Sequence, residues 1–193
     1  MKRLVVRVGA FALLLGLAVP AQAQAARTYT IRTQHATNSL FPGYVSRIGD
    51  FRPGRNPTIA AAQRVFGKPI RRHLSRYGTC TVRWHRPLLT IYFENYGGVA
   101  PGSGETTCTP RVGQAQSFVA RGRRFETRRG LHVGDSRDTL LELYPSADHR
   151  KGGWWLDTAV SPFGDQSEYA VLLARMSNGR VSEFQGLIGA AGE

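Results

Sequence analysis

The chain has 193 residues, 41% of them hydrophobic and 20% charged, and carries a formal net charge of +13 at neutral pH. That length bounds it to one medium domain or two small, packed ones. The cationic surplus favours anionic partners (wall polymer, lipid headgroups, nucleic acid or an acidic protein) over cationic ones. Only Lys2, Lys68 and Lys151 among the 26 cationic residues are lysine, so a uniform arginine bias is the competing reading.

Lys2, Arg3 and Arg7 open the chain and an apolar run from Val8 to Val19 follows. Pro20 breaks that run before Ala21-Gln22-Ala23-Gln24-Ala25, which holds two overlapping Ala-x-Ala sites. This is the layout of a secretory signal peptide over 1–25, cleaved after Ala23 or Ala25. The apolar run is too short to cross a bilayer, and no lipoprotein cysteine follows it. The expected location is therefore extracellular, with no transmembrane span in the mature chain.

Residues 26–44 are polar and read as an irregular lead-in, in which Tyr29 and Ile31 could form a short strand. Asn56-Pro57 predicts a helix start with proline at the first helical position, and Gly67-Lys68-Pro69 its end. Val82 and Trp84 alternate with Arg83 and His85. Leu89, Ile91 and Phe93 then alternate with Thr90, Tyr92 and Glu94, a period-two pattern that predicts half-buried antiparallel strands. Tyr96–Glu105 reads as a glycine-rich connection and Gln114–Ala120 as a third strand.

Asp135 or Ser136 can cap a second helix with Leu140, Leu141, Leu143 and Tyr144 on its apolar face and Pro145 at its end. Strands follow at Trp154–Val160, Tyr169–Arg175 and Val181–Gln185, the last two joined by an Asn178-Gly179 hairpin turn. A helix followed by a three-strand meander thus occurs twice. The expected fold is α+β, two tandem helix-plus-antiparallel-meander repeats over 45–125 and 126–193, an internal duplication.

The Gly49-Asp50 turn, the helix ends at Phe66-Gly67-Lys68-Pro69 and Tyr144-Pro145, and the doubled meander resemble the β-lactamase inhibitory protein fold. They are also similar to the BamE/SmpA repeat of small outer-membrane assembly lipoproteins. Ile48-Gly49-Asp50-Phe51, Trp154-Trp155-Leu156 and Gly189–Glu193 resemble stretches of secreted actinobacterial proteins. The resemblance implies a layered α/β arrangement whose sheet presents a protein-binding face. The chain departs from it in having one cysteine pair instead of one per repeat and in matching no inhibitory loop.

Cys80 and Cys108 are the only cysteines, and in an exported chain an even pair predicts a disulfide. Gly98–Thr107 superficially resembles a phosphate loop, but Glu105 stands where the lysine should be. His132, Asp135, Asp138, Asp148 and His149 lack convincing metal spacing. No nucleophile elbow or matched acid–base pair is legible, so neither a cofactor nor a catalytic residue is expected and the chain is not read as an enzyme.

Two surfaces remain. Arg83, His85, Tyr92, Trp155 and Asp157 are expected on the outward side of the strands, a composition suited to a protein partner. Arg121, Arg123, Arg124, Arg128 and Arg129 form the densest cationic run, a candidate anion patch around Phe125. The reading is a non-catalytic binding module for an extracellular or envelope protein, an enzyme that it inhibits being one candidate, with no specific nucleic acid. The alternatives are an envelope-directed hydrolase and a cationic protein adhering to anionic wall polymers.

Overall fold

The computed structural model describes residues 27–36, 42–95, 97–98, 102–161 and 167–188. The segment expected to be a signal peptide, the Gly189–Glu193 stretch and part of the Tyr96–Glu105 connection lie outside the described residues. In chain order the elements are β1 (Tyr29–His35), β2 (Gly43–Ile48), α1 (Ile59–Phe66), β3 (Arg71–Leu74), β4 (Cys80–Trp84), β5 (Leu89–Glu94), β6 (Gln114–Ala120) and β7 (Phe125–Thr127). They continue as α2 (Arg137–Leu143), β8 (Asp148–Arg150), β9 (Gly153–Val160), β10 (Glu168–Ser177) and β11 (Arg180–Leu187).

The strands form two sheets. One is three-stranded, in the order β2-β1-β7, and the other eight-stranded, in the order β3-β4-β5-β6-β11-β10-β9-β8. This corrects the α+β expectation: the described chain is mostly strand, and its helices are 8 and 7 residues long. Neither helix defines a layer of its own. The two meanders are not separate units either, because β6 and β11 pair antiparallel and merge them into one sheet. The supposed lead-in carries β1 and the start of β2, and β1 pairs in parallel with β7, across the expected repeat boundary.

Alternation sets which face is buried. Cys80, Val82 and Trp84 on β4 lie beside Phe93, Ile91 and Leu89 on β5, and the row continues through Ala115, Phe118 and Ala120 on β6. All nine are at most 2% exposed. The helices and the small sheet cover this inner face. Phe66 of α1 sits in an aromatic cluster with Tyr29, Phe51 and Trp84 at centroid distances of 5.4, 5.9 and 5.7 Å. The Trp84 indole N–H, which would otherwise be buried without an acceptor, donates to the Gly67 carbonyl at 2.8 Å.

The α1 cap is Thr58, two residues later than expected: its hydroxyl accepts from Ala61 N–H at 3.2 Å and donates to Asn56 Oδ1 at 2.8 Å. The helix stops at Gly67, whose φ of 80° suits glycine. Ser136 caps α2, accepting from Thr139 N–H at 3.1 Å.

The sheets touch where side chains are absent. A Cβ on Gly43 of β2 would meet Val171 and Ala159 at 2.5 and 2.6 Å, and one on Gly186 of β11 would meet Phe118 at 2.5 Å and Val45 at 2.9 Å. Glycine at both points lets the small sheet lie directly on the β9–β11 half.

Candidate functional site

The outer face of the eight-stranded sheet is left open by every described element. One row crosses all its strands: Arg71, Arg83, Thr90, Val119, Gln185, Leu173, Trp155 and Asp148 are successive cross-strand partners. At its centre lies a groove of about 420 Å³ bordered by Tyr92, Val119, Arg121, Leu173, Arg175 and Leu187. The groove is deep enough that Val119 and Glu183 are only 8% and 7% exposed on an otherwise uncovered face.

Glu183 is held there by two cations. Arg121 Nε is 2.6 Å from one carboxylate oxygen, and Arg175, its cross-strand partner, is 3.8 Å from the other. Gln185 also donates to this carboxylate. A carboxylate this far out of water needs such partners. Arg121, placed by sequence in an anion patch, is thereby neutralised inside the groove.

At the β8 edge the Arg150 guanidinium lies 4.4 Å from the Trp155 ring centroid. It is clamped by Asp148 and Glu168, each at 2.6 Å. The Glu168 carboxyl is lowered below its ordinary range, first by a hydrogen bond from Thr158 and then by one from Arg150. Hydrogen bonds to Asp148 and Glu168 raise Arg150 in turn. Trp155, itself in the row, is thus covered by a guanidinium that two carboxylates hold.

Three expected site residues share this face: Arg83, Tyr92 and Trp155. Asp157 does not. Asp157 and Trp155 pair with consecutive residues Leu172 and Leu173, so Leu156 is an extra residue that breaks the alternation. Asp157 turns instead towards β1, where its carboxylate lies 2.9 Å from His35 Nε2. His85 is past the end of β4, in a cleft at the hairpin end with Arg86, Leu88, Arg123 and Arg124.

The cationic run disperses in the same way. Phe125 is a fully buried core residue, which pulls its neighbours apart. Arg129 donates to the Leu143 carbonyl at 3.0 Å and covers the Tyr144 ring at 4.8 Å, while Arg128 is exposed. Arg123 and Arg124 share the hairpin-end cleft with Arg86, apart from Arg121 in the sheet-face groove and Arg129 over Tyr144.

No family model, no curated protein and no solved structure matches this chain.

What the site can do therefore rests on its own residues. Among the described residues no group of three or more His, Cys, Asp or Glu could hold a metal ion. The Asp135 carboxylate accepts from the His132 backbone N–H at 2.7 Å, and the His132 ring pairs with Glu126 at 3.3 Å. Cys80 and Cys108 are joined in a disulfide, Cα atoms 5.2 Å apart, which ties the connection after β5 to β4. No described helix is long and apolar enough to cross a membrane.

Sequence reasoning missed Leu173, Leu187, Arg175, Glu183 and Gln185. The Asn178-Gly179 turn sets Ser177 opposite Arg180. A register shift between Arg175 and Met176 then puts Glu183 instead of Ser182 opposite Arg175, so the turn alone gives these residues the wrong face.

Proposed function

We propose that the mature chain is an exported, non-catalytic binding module that holds a protein partner against the outer face of its eight-stranded sheet. The observation that carries this reading is the groove at the centre of that uncovered face. It combines apolar floor residues (Val119, Leu173), an aromatic wall (Tyr92) and flanking arginines, the mixture typical of energetic centres in protein interfaces. The Glu183 and Arg150 clamps hold their side chains in place before binding, which lowers the ordering cost of association. The disulfide is compatible with an extracellular or envelope location.

The test is capture of proteins from the native medium and envelope fraction on the immobilised mature chain. Saturable, stoichiometric retention of one protein is expected. Leu173→Asp and Tyr92→Ala weaken it by more than about tenfold, the equivalent of 1.4 kcal/mol, at unchanged thermal stability. A captured enzyme is assayed for inhibition in the same titration. Retention that both variants leave untouched would exclude the sheet face as the binding surface.

A further inference from the structure

We propose a second site, independent of the sheet face: a groove on the outside of the three-stranded sheet that binds a linear polyanion bearing phosphate groups. Arg32 and Arg47 are direct cross-strand partners on β1 and β2, and Gln34 and Tyr44 are paired further along the same two strands. The turn after β2 brings Arg52 and Arg55 to the same place. Its shape is fixed by reciprocal Ile48–Phe51 backbone bonds at 3.0 Å and by the Arg52 carbonyl, which accepts from the N–H groups of Arg55 and Asn56 at 3.1 Å. The four arginines, with Tyr44 and Ser46, border a groove of about 460 Å³.

Neutralisation is incomplete. Arg47 donates to the Gly49 carbonyl and to Asp50, the latter at 3.1 Å, and Asp50 is shared with Arg27. Glu126, near the groove on β7, is already engaged by the Thr30 hydroxyl at 2.7 Å and by His132. Arg32, Arg52 and Arg55 have no carboxylate partner among the described residues. Like charges directly opposite in a sheet are destabilising. Arg121, Arg150 and Arg129 are consumed internally, whereas Arg86, Arg123 and Arg124 gather in the cleft at the hairpin end. A compositional arginine bias accounts for their number but not for four converging on one groove.

Guanidinium forks match phosphate oxygens two at a time, and several forks in one groove suit phosphates repeated along a chain. A single aromatic ring, Tyr44, offers no ladder for stacked bases, which favours a polymer without them.

The test titrates the mature chain with short inorganic polyphosphate over a salt series. Arg32→Gln/Arg55→Gln should weaken binding at least tenfold and reduce the slope of log K against log salt by about 0.7 for each phosphate no longer neutralised. Arg64→Gln/Arg111→Gln, with the same change in charge at positions elsewhere, should bind as the wild type does. Equal weakening by both pairs would show diffuse attraction and overturn the site, as would failure of the wild type to bind. Polyglutamate or single-stranded DNA of equal charge binding as tightly as polyphosphate would overturn the ligand assignment. Tyr92→Ala should leave this titration unchanged, so its failure and that of the sheet-face reading are separable.

Discussion

The carboxylate of Glu183 and the guanidinium of Arg121 meet at 2.6 Å on the outer face of the eight-stranded sheet. The carboxylate is nearly buried and the arginine more than half exposed, at 9% and 56%. The pair therefore fixes the shape of the groove from below while leaving a cationic rim. Glu183→Gln should keep the side-chain volume but release Arg121 and Arg175. For an anionic partner the freed cations are then expected to speed association and steepen its salt dependence, while the loss of their fixed positions speeds dissociation. Surface plasmon resonance at two ionic strengths reads both rates.

Closeness of the two sheets at Gly43 and Gly186 predicts a sharp steric penalty. Gly186→Ala should destabilise the chain by about 1–3 kcal/mol, the usual cost of overpacking, because Phe118 and Val45 must both give way. Urea denaturation with an unchanged slope and a lowered midpoint is the expected result. Gly179→Ala meets no atom, so any loss there comes from its φ of 72° alone.

The Cys80–Cys108 bridge closes a loop with a sequence separation of 28. In the chain-entropy model such a loop is worth about 3–4 kcal/mol. The Cys80→Ala/Cys108→Ala variant should lose stability on that scale yet keep the sheet face intact. Thermal unfolding with and without a reductant provides the measurement, since the variant should be insensitive to it.

Tyr144 is buried against the core, and desolvation raises its phenol above the ordinary value of 10.0. With the folded value raised, the unfolded chain releases this proton first as pH climbs. The Tyr144 contribution is therefore fully present below pH 10.0 and is lost above it, up to the folded value. Glu168 has the opposite sign: its lowered folded value gives a contribution present above the ordinary carboxyl range and lost on acidification through the folded value. Tyr144→Phe should flatten the alkaline limb of a stability–pH profile, and Glu168→Gln should remove one acid-limb transition, together with its Trp155 emission change.

The sequence made the inner strands legible and left the edges obscure. β4 reads correctly because one side is packed and the other is not, so alternation survives in the letters. β9 and β10 are located instead by their β-branched and aromatic residues and flanking turns, although register shifts break their alternation. β3 offers no such contrast: Arg71, Arg72, His73 and Leu74 are all exposed at the end of the sheet. β8 is three polar residues, held by pairing to β9. β1 alternates at Tyr29 and Ile31, then shifts register between Arg32 and Thr33, which hides the rest of the strand. The α+β expectation came from treating the helices as layers. Two helices of two turns cannot cover eight strands, and a third component, the small sheet, completes the core.

For the site, Arg83, Tyr92 and Trp155 were recoverable from alternation alone. Asp157 was misplaced because an extra residue at Leu156 leaves no mark in composition. The arginine groove of β1 and β2 was invisible for a different reason: Arg32, Arg47, Arg52 and Arg55 are scattered among polar residues, and only strand pairing and the following turn gather them.

Hydroxyl-radical footprinting of the mature chain, alone and with its captured partner, decides whether the open sheet face is the surface that binds. Tyr92, Leu173 and Leu187 should lose reactivity together in the complex while His85 and Tyr77 keep theirs. Undiminished labelling of those three side chains, with protection confined to the hairpin ends or the small sheet, would refute the assignment.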